Sequence, residues 1–516
     1  MSGEASGEAP VRLTLKPGDR SVLLPRGAAL RDALFDQGVE FPCGGRARCR
    51  GCRVRVLDGV LAVTSDDARW LSEAERAQGW RLGCRARAEG DLVLDLAQWE
   101  ATILADETVF EFVPREGLGV ALDIGTTTLA GQILDLSTGR ILGVRTALNA
   151  QARHGADIMS RVDLAVHRGG QGELVRLIRE QVGAMVKDLV DGAGGPGREP
   201  VDVVLVGNTV MHHLFGGLDL APLAMHPFEP EHTGPLEFGA AELGWCAEGA
   251  AGVRGDMRVR FLPVLGSFVG SDLLAGVLAT GMHERDSLEV LLDLGTNGEI
   301  VAGHRGRLVC ASTAAGPAFE AARISQGMRA ATGAISEVTA KGGGLECRVI
   351  GGGTPRGVCG SGLVDAVAAA LDLGWIRSDG RLSTGDALVL SPPVALRPGD
   401  IRELQLAKGA IAAGLRLLLE PWGAGAEDVE RVWLAGAFGN SINRVSARRI
   451  GLLPFPIDRV KPVGNTALMG AKLALYGWPT EGGAYEALRA MTRHVSLNDD
   501  PNFLEVFVEA MAFPEA

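Results

Sequence analysis

Four cysteines near the N-terminus have the spacing of metal ligands. Cys43, Cys49 and Cys52 form a C-x5-C-x2-C run, and Cys84 follows later in the chain. Thiolates in such runs bind iron–sulfur clusters, and the first gap here is one residue longer than in the plant-type [2Fe–2S] pattern. Zinc ribbons usually pair two C-x2-C units, whereas this stretch contains one. The spacing therefore favours a [2Fe–2S] cluster held by the four thiolates, with a structural zinc site as the alternative.

Two aspartates lie in matching stretches of the chain. Asp123 ends an apolar run and is followed by Ile-Gly-Thr-Thr-Thr, and Asp293 ends a similar run and is followed by Leu-Gly-Thr-Asn-Gly. Glycine and threonine turns can present backbone N–H groups to phosphates, and an adjacent aspartate can hold Mg²⁺ or its water ligands. The repeat predicts two similar lobes with a nucleotide between them, and Asp123 and Asp293 as its catalytic, Mg²⁺-binding residues. The predicted phosphate-binding residues are Gly125, Thr126, Thr127, Thr128, Gly295, Thr296 and Asn297.

A second landmark follows each aspartate: an apolar strand that runs into glycine, at Gly207 and again at Gly436. Around Gly436 and Gly439 the backbone can lie flat against an adenine ring, because glycine allows close approach. Gly360 opens an apolar helix, where the free N–H groups suit a phosphate or a ribose. These glycines are predicted to line the nucleotide site.

Three further polar residues have two interpretations each. Gln151 and Asp157 lie in a polar segment and are candidates for positioning an attacking water, although Asp157 is equally suited to cap a helix. Asp272 precedes an apolar helix and is expected to cap it rather than face the nucleotide. His212 and His213 are adjacent, so they point to different faces of a helix; we expect a junction that faces the cleft, not a metal pair.

The surrounding sequence predicts the elements that position these residues. Alternating residues in 11–15 and 21–24 predict a hairpin, the runs beside Asp123 and Asp293 predict strand–turn–strand units, and 173–190 predicts an amphipathic helix. Clear periodicity is lost after the last N-terminal strand. The predicted organisation is a cysteine-containing domain over residues 1–98, a linker over 99–116, a first lobe over 117–285 and a second lobe over 286–516.

Composition limits the classes of function. The chain is 46% hydrophobic and contains 72 glycines, as expected of a turn-rich α/β protein. Its net charge of −12 argues against nonspecific nucleic-acid binding, and no apolar run approaches the roughly 20 residues of a membrane helix. Eight cysteines without a secretory signal argue against a disulfide framework. We expect a cytoplasmic protein with no nucleic-acid or membrane partner.

The order of motifs resembles known families. The cysteine loop between strands resembles the [2Fe–2S] ferredoxins of β-grasp fold, and its longer first gap resembles their adrenodoxin-like branch. The two aspartate turns and Leu-Ala-Gly-Ala-Phe-Gly at 434–439 resemble the phosphate-1, phosphate-2 and adenosine motifs of the acetate/sugar kinase, Hsp70 and actin superfamily. In this order, the motifs resemble the reductive activators of corrinoid-dependent enzymes.

The resemblance implies an α/β multidomain fold, in which a β-grasp ferredoxin-like domain precedes a two-lobed actin-like, duplicated ribonuclease H-like nucleotide-binding fold. It implies an ATPase that returns an inactive cobalt(II) corrinoid protein of a methyltransferase system to cobalt(I), passing one electron from its [2Fe–2S] cluster. ATP and Mg²⁺ are the implied further cofactors. The implied partners are the corrinoid protein and a low-potential electron donor that the sequence does not identify, and a homodimer is a further expectation.

Other functions fit parts of the same pattern. One is an ATP-dependent activator of another low-potential redox enzyme. Another is a ferredoxin-type electron carrier with a degenerate actin-like scaffold, which would bind no nucleotide. A third is a small-molecule kinase with an accessory redox sensor, which would transfer phosphate to a substrate and not to water.

Overall fold

The computed structural model describes residues 9–16, 20–37, 39, 47, 52–96, 112–155, 157–193, 200–245, 255–295, 297–316, 318–321, 323–477 and 484–515. Of the predicted site residues, Cys43, Cys49 and Thr296 lie outside these ranges, as do residues 99–111 of the predicted linker. Within the described ranges, no helix combines the length and the apolar character that crossing a bilayer requires.

The N-terminal domain is a five-stranded sheet with short helices packed on it. Its strands are β1 (Val11–Lys16), β2 (Arg20–Leu24), β3 (Ala28–Ala29), β4 (Arg53–Asp58), β5 (Trp80–Leu82), β6 (Arg87–Ala88) and β7 (Leu92–Leu96), and its helices are α1 (Leu30–Asp36), α2 (Ser65–Trp70) and α3 (Glu73–Ala77). The main sheet has the order β2-β1-β7-β4-β5, with β1 parallel to β7 and antiparallel to β2. The predicted β1–β2 hairpin is therefore confirmed.

The core of this domain follows from the alternation of its strands. Leu13, Leu15, Leu92, Leu94 and Leu96 are all fully or almost fully buried, while the residues between them are partly exposed. Successive side chains of a strand point to opposite faces, so this pattern buries one face of the sheet. Helix α1 covers that face, and its Leu30 and Leu34 are fully buried in the same core.

The first lobe contains a six-stranded sheet of order β10-β9-β8-β11-β13-β12. Its strands are β8 (Leu118–Ile124), β9 (Thr128–Asp135), β10 (Ile141–Leu148), β11 (Pro200–Val206), β12 (Leu236–Gly239) and β13 (Arg258–Phe261), and its helices are α4 (Ile158–His167), α5 (Gln171–Gly192), α6 (Thr209–Gly216), α7 (Ala221–Ala224) and α8 (Ser271–Thr280). Helix α5 confirms the amphipathic helix predicted over 173–190. Its buried residues, from Leu174 to Val190, pack into the core of this lobe.

The second lobe is larger and is built on a sheet of order β23-β22-β14-β15-β16-β24. The strands of this lobe are β14 (Glu289–Leu294), β15 (Gly298–His304), β16 (Arg307–Thr313), β17 (Ala334–Lys341), β18 (Gly344–Val349), β19 (Gly357–Val358), β20 (Leu388–Ser391), β21 (Val394–Leu396), β22 (Arg431–Ala435), β23 (Val460–Gly464) and β24 (Thr492–His494). Its helices are α9 (Gly360–Asp372), α10 (Pro398–Leu419), α11 (Gly436–Ser441), α12 (Arg444–Arg449), α13 (Thr466–Leu475), α14 (Ala484–Met491) and α15 (Phe503–Met511).

The repeat seen in the sequence is also a repeat of the fold. In the first lobe β8 and β9 form an antiparallel hairpin, and β11 lies parallel to β8 on its other side. In the second lobe β14 and β15 form the same hairpin, and β22 lies parallel to β14. Both predicted strand–turn–strand units are thus confirmed.

Helices α8 and α13 lie between the two sheets and join the lobes. Their residues share one hydrophobic cluster with strands of both sheets, including Val204 of β11 and Leu291 of β14. The two helices approach very closely, because a Cβ at Gly470 would lie 2.3 Å from the carbonyl oxygen of Ala275. The end of the predicted linker packs against this region, since the ring of Phe112 contacts that of Tyr476 at a tilt of 38°, with the ring centroids 4.6 Å apart.

Candidate functional site

The two described cysteines of the metal-ligand pattern lie at one edge of the N-terminal sheet. Cys52 immediately precedes β4 and Cys84 follows β5, and these two strands are antiparallel neighbours. The N–H of Gly83 donates to the carbonyl oxygen of Cys52 at 2.9 Å, which brings the two cysteines side by side. A Cβ at Gly83 would approach that oxygen to 2.9 Å, so glycine allows this contact. The donor set fits an iron–sulfur cluster.

The two aspartates predicted to be catalytic occupy equivalent positions in the two lobes. Asp123 pairs with Val206, the last residue of β11, and Asp293 pairs with Ala435, the last residue of β22. Each aspartate therefore lies beside a strand that runs into glycine. A Cβ at Gly436 would lie 2.6 Å from Oδ1 of Asp293, so a side chain at this position would displace the carboxylate.

Four acidic side chains gather around these positions, and we call them the carboxylate cluster: Asp123, Asp272, Asp293 and Glu299. Desolvation, opposed by a hydrogen bond from Asn465, raises the pKa of Asp123 to about 6. Desolvation and the charge of Asp123 raise the pKa of Asp293 and that of Asp272 to about 7. Desolvation and the neighbouring aspartates also raise the pKa of Glu299. Desolvation is the largest cause of each shift, and for Asp272, Asp293 and Glu299 the repulsion of neighbouring carboxylates adds to it.

The expectation that Asp272 caps a helix is wrong. Helix α8 begins at Ser271 after Gly270, so Asp272 is not its N-cap residue but lies in the first turn, where Oδ1 accepts from the N–H of Leu273 at 2.8 Å. Gly270 packs so tightly that a Cβ there would lie 2.1 Å from the carbonyl oxygen of Gly207. Ser271 adds a backbone hydrogen bond of 2.9 Å to the same oxygen. This close packing places Asp272 beside Asp123, an arrangement that distant stretches of sequence do not reveal.

The first predicted phosphate turn is held by amide side chains from elsewhere in the lobe. Asn149 donates from Nδ2 to the carbonyl oxygen of Gly125 at 2.9 Å, and its own N–H donates to that of Thr127 at 2.8 Å. Asn208 donates from Nδ2 to Oγ1 of Thr126 at 2.9 Å. Thr128 is exposed and begins β9. The turn is thus fixed from its protein side.

Gln151 does not position a water molecule. Its side chain is fully buried, donates from Nε2 to the carbonyl oxygen of Leu174 at 2.8 Å, and accepts from Arg161 at 3.1 Å. Asp157 has the capping role that was its alternative interpretation, because it accepts from the N–H of Ser160 and begins α4. Both residues therefore support the lobe without facing the reacting groups.

The second predicted phosphate turn lies between β14 and β15. The N–H of Gly295 donates to the carbonyl oxygen of Asn297 at 3.0 Å, and the side chain of Asn297 interacts with Glu299. A residue of the second lobe also contacts the strand before the first turn. Asn465, at the start of α13, donates from Nδ2 to Oδ2 of Asp123 in β8 at 3.1 Å. Sequence reasoning assigned Asn465 no role.

The predicted adenosine-binding glycines lie beside an aromatic pair. Gly436 begins α11 with a φ of +84°, and Gly439 lies one turn later against the side chain of Leu434. Phe438 between them stacks on Phe319, with ring centroids 4.7 Å apart. Gly360 begins α9 as predicted, and a Cβ there would collide with the carbonyl oxygen of Phe319. These residues form one wall beside the carboxylate cluster.

His212 and His213 do not face the nucleotide region. Both are buried in the first lobe, where His212 packs edge-on against Phe261 and lies parallel to His232. Desolvation lowers the pKa of His212 to about 3, so this imidazole is neutral. Among the described residues, no three His, Cys, Asp or Glu side chains are placed to hold a metal ion by themselves.

Three stretches of the chain match known protein families. Residues 13–89 match the 2Fe-2S iron-sulfur cluster binding domain, residues 118–285 match the RACo middle region, and residues 287–516 match the C-terminal domain of RACo, the ASKHA domain. Fold and site together therefore define a [2Fe–2S] ferredoxin domain fused to an actin-like, nucleotide-binding ASKHA fold.

Comparison with individual proteins shows to which family the whole chain belongs. The chain is 34% identical to the corrinoid activation enzyme RamQ of Eubacterium limosum, over 79% of this chain and 73% of RamQ. It is 27% identical to the [Co(II) methylated amine-specific corrinoid protein] reductase of Methanosarcina barkeri, over 69% of each chain. The solved structure of a reductive activator for corrinoid,iron-sulfur protein superposes with a TM-score of 0.67 at 27% identity, covering 98% of both chains. The chain belongs to the family of corrinoid reductive activators that RamQ and RACo represent.

Proposed function

We propose that this protein is an ATP-dependent reductive activator, which returns a corrinoid protein of a methyltransferase system from inactive cobalt(II) to cobalt(I). The observation that carries this proposal is the direct contact between the ferredoxin domain and the nucleotide-binding lobes. Arg53, next to the cluster ligand Cys52, donates from Nη1 to the carbonyl oxygen of Ser325 at 3.0 Å. Arg356 of the second lobe donates from Nη2 to Oδ1 of Asp95 at 2.8 Å. Redox and nucleotide chemistry are therefore parts of one packed molecule.

Energetics explain why the two activities are combined. When bound, the cluster would supply the single electron that reduction of cobalt(II) requires. Plant-type [2Fe–2S] clusters have reduction potentials of about −400 mV, and reduction of a corrinoid to cobalt(I) requires a lower potential than this. Each 59 mV of shortfall costs about 1.4 kcal/mol for one electron, so a shortfall of about 200 mV costs about 5 kcal/mol. A ligand that shifts a two-state equilibrium from 1:99 to 99:1 supplies about 5.5 kcal/mol. Nucleotide turnover is of the right size to drive the transfer.

Within this proposal the carboxylate cluster binds Mg²⁺. Asp123 and Asp293 are partly exposed and face each other from the two lobes, and their raised pKa values indicate a site that a divalent cation would stabilise. Mg²⁺ usually takes one or two carboxylates together with phosphates and waters, which suits residues that do not form a closed shell. The turns at 125–128 and 295–297 would hold the phosphates, and Gly360, Gly436 and Gly439 would lie beside the adenosine.

The corrinoid protein is the proposed substrate, and the donor that recharges the ferredoxin domain is a low-potential reductant. We further propose a cytoplasmic location and a homodimer. We also propose the domain limits expected from the sequence: 1–98, 99–116, 117–285 and 286–516.

A reduction assay tests the proposal. The protein is mixed with a cobalt(II) corrinoid methyltransferase protein and a chemical reductant, with and without Mg-ATP, and cobalt(I) is followed by its absorbance. We expect cobalt(I) to form only with Mg-ATP, and Asp293→Ala to abolish the nucleotide effect while the visible spectrum of the cluster stays unchanged. Nucleotide-independent cobalt(I) formation, or none with ATP hydrolysed normally, would contradict the assignment.

A further inference from the structure

A short segment of the first lobe contacts the ferredoxin domain and the first phosphate turn at the same time. Residues 148–153, which we call the coupling segment, run from the end of β10 through a 3₁₀ turn, Ala150–Arg153. The segment is not part of the predicted nucleotide site. Its position between two cofactor-binding regions suggests that it does more than connect β10 to α4.

On one side the coupling segment packs against the ferredoxin domain. Leu148 and Ala152 join the hydrophobic core of that domain. The guanidinium of Arg153 lies over the ring of Phe35, 4.7 Å from its centroid. Phe35 belongs to α1, and the residue before it, Leu34, packs closely against Gly83. A Cβ at Gly83, which immediately precedes Cys84, would lie 2.7 Å from Cδ1 of Leu34. The contact between Arg153 and Phe35 is therefore close to Cys84, because Leu34 lies between Phe35 and the Gly83–Cys84 stretch.

On its other side the segment holds the phosphate turn. Asn149 contacts Gly125 and Thr127 through the two hydrogen bonds described above. Arg161 links Gln151 of the segment to the turn, because it donates from Nη1 to Oε1 of Gln151 at 3.1 Å and from Nη2 to the carbonyl oxygen of Thr126. The guanidinium of Arg161 is fully buried, so its hydrogen bonds are not shared with bulk water. The turn and the segment are thus joined directly by Asn149 and indirectly through Arg161.

We propose that the coupling segment links nucleotide occupancy of the first phosphate turn to docking of the ferredoxin domain. The domain also contacts the second lobe through Arg53 and Arg356, so it spans both lobes and responds when a nucleotide draws them together. By thermodynamic linkage, a nucleotide that favours one docked arrangement must bind more tightly to that arrangement. This inference rests on the nucleotide site of the proposed function.

Hydrogen exchange on the full chain with its cluster reconstituted tests the link. Affinity for a non-hydrolysable ATP analogue is first measured by calorimetry in the presence of Mg²⁺. The rate of amide hydrogen exchange of residues 30–36 in α1 is then compared between the free protein and the protein with the bound analogue. In the unmodified protein we expect the analogue to change exchange at 30–36 by about fivefold or more, the lower end of usual coupling strengths. In Arg153→Ala the change should disappear, while the analogue still binds.

Two further variants sharpen the test. Phe35→Leu keeps an apolar side chain but removes the ring face below Arg153, and it should lose the response in the same way. Arg168→Ala removes an exposed arginine of the same lobe, paired with Asp163, and should keep it. Analogue binding without any exchange change at 30–36, or a full response in Arg153→Ala, would overturn the coupling alone. Absence of analogue binding in the unmodified protein would overturn the proposed function and the coupling with it.

Discussion

At the scale of single residues, desolvation has the largest effect on the pKa values of the carboxylate cluster. Asp123, Asp272 and Asp293 all have pKa values raised to about 6 or 7, with desolvation as the first cause. Metal ligands must lose their protons, so binding of Mg²⁺ at these residues competes with protonation near neutral pH.

We therefore expect Mg-nucleotide binding to release protons. Below about pH 6 the cluster is largely protonated and binding should weaken, whereas at pH 8 it should approach its full strength. Calorimetry in buffers of different ionisation enthalpy measures the protons released. About one proton at pH 6.5, falling toward zero at pH 8, is the expected result. Proton uptake on binding would contradict a metal site built from these carboxylates.

The same raised pKa values determine how stability depends on pH without a metal. The folded state keeps protons that the unfolded chain has lost, so the free energy of unfolding falls as pH rises from about 4 to 7. The melting temperature in EDTA should therefore be lower at pH 8 than at pH 5.5, and Asp293→Asn should reduce this difference. Glu180→Gln, an exposed change on α5, serves as the control. If the melting temperatures of the two variants changed equally between pH 5.5 and pH 8, Asp293 would not be a cause of the pH dependence.

Gly436 tests the close approach of backbone to carboxylate. Gly436→Ala would strain a φ of +84° and place a Cβ 2.6 Å from Oδ1 of Asp293. We expect a loss of about 1–3 kcal/mol of stability from the overpacking, and a marked loss of nucleotide affinity because Asp293 must move. Gly374→Ala is the matched control, with a φ of +70° and no atom within 4 Å of the added Cβ. If both variants bind nucleotide equally, the contact with Asp293 is unimportant.

At the scale of elements, helices α8 and α13 determine how the two lobes meet. Gly470→Ala would place a Cβ 2.3 Å from the carbonyl oxygen of Ala275, so the helices would have to separate. Asn465 at the start of α13 would then move away from Asp123. We expect a destabilisation of about 1–3 kcal/mol, measured by denaturant unfolding, together with weaker nucleotide binding. Gly172→Ala, in α5 with open space around it, should leave both unchanged or slightly improved.

Elements were also the scale at which sequence was most informative. The hairpins at Asp123 and Asp293 could be predicted because each is local, apolar and repeated. The positions of Asp272 and Asn465 could not, because each depends on tertiary contacts: Gly270 against Gly207 for the first, and α13 against the first lobe for the second. The buried position of Gln151 could not be predicted, because a buried amide and an amide that faces a cleft look alike in sequence. Its partner Arg161 lies ten positions away and carried no local signal.

At the scale of the whole molecule, the ferredoxin domain packs against both lobes, and the two lobes pack against each other. The ferredoxin domain reaches the first lobe through Phe35 and the second through Arg53 and Asp95. The two lobes meet through α8 and α13 and through the hydrogen bond from Asn465 to Asp123. Because nucleotide and cluster regions share these contacts, we expect neither to suffice for activation alone.

A single-turnover experiment tests this account most directly. The cluster is reduced chemically, excess reductant is removed, and the protein is mixed with a stoichiometric amount of a cobalt(II) corrinoid protein with or without Mg-ATP. The account predicts that one cluster electron appears as one cobalt(I) only when Mg-ATP is present, and that neither Asp123→Ala nor Cys84→Ser gives cobalt(I). Equal yields with and without Mg-ATP, or full yield from Cys84→Ser, would contradict it.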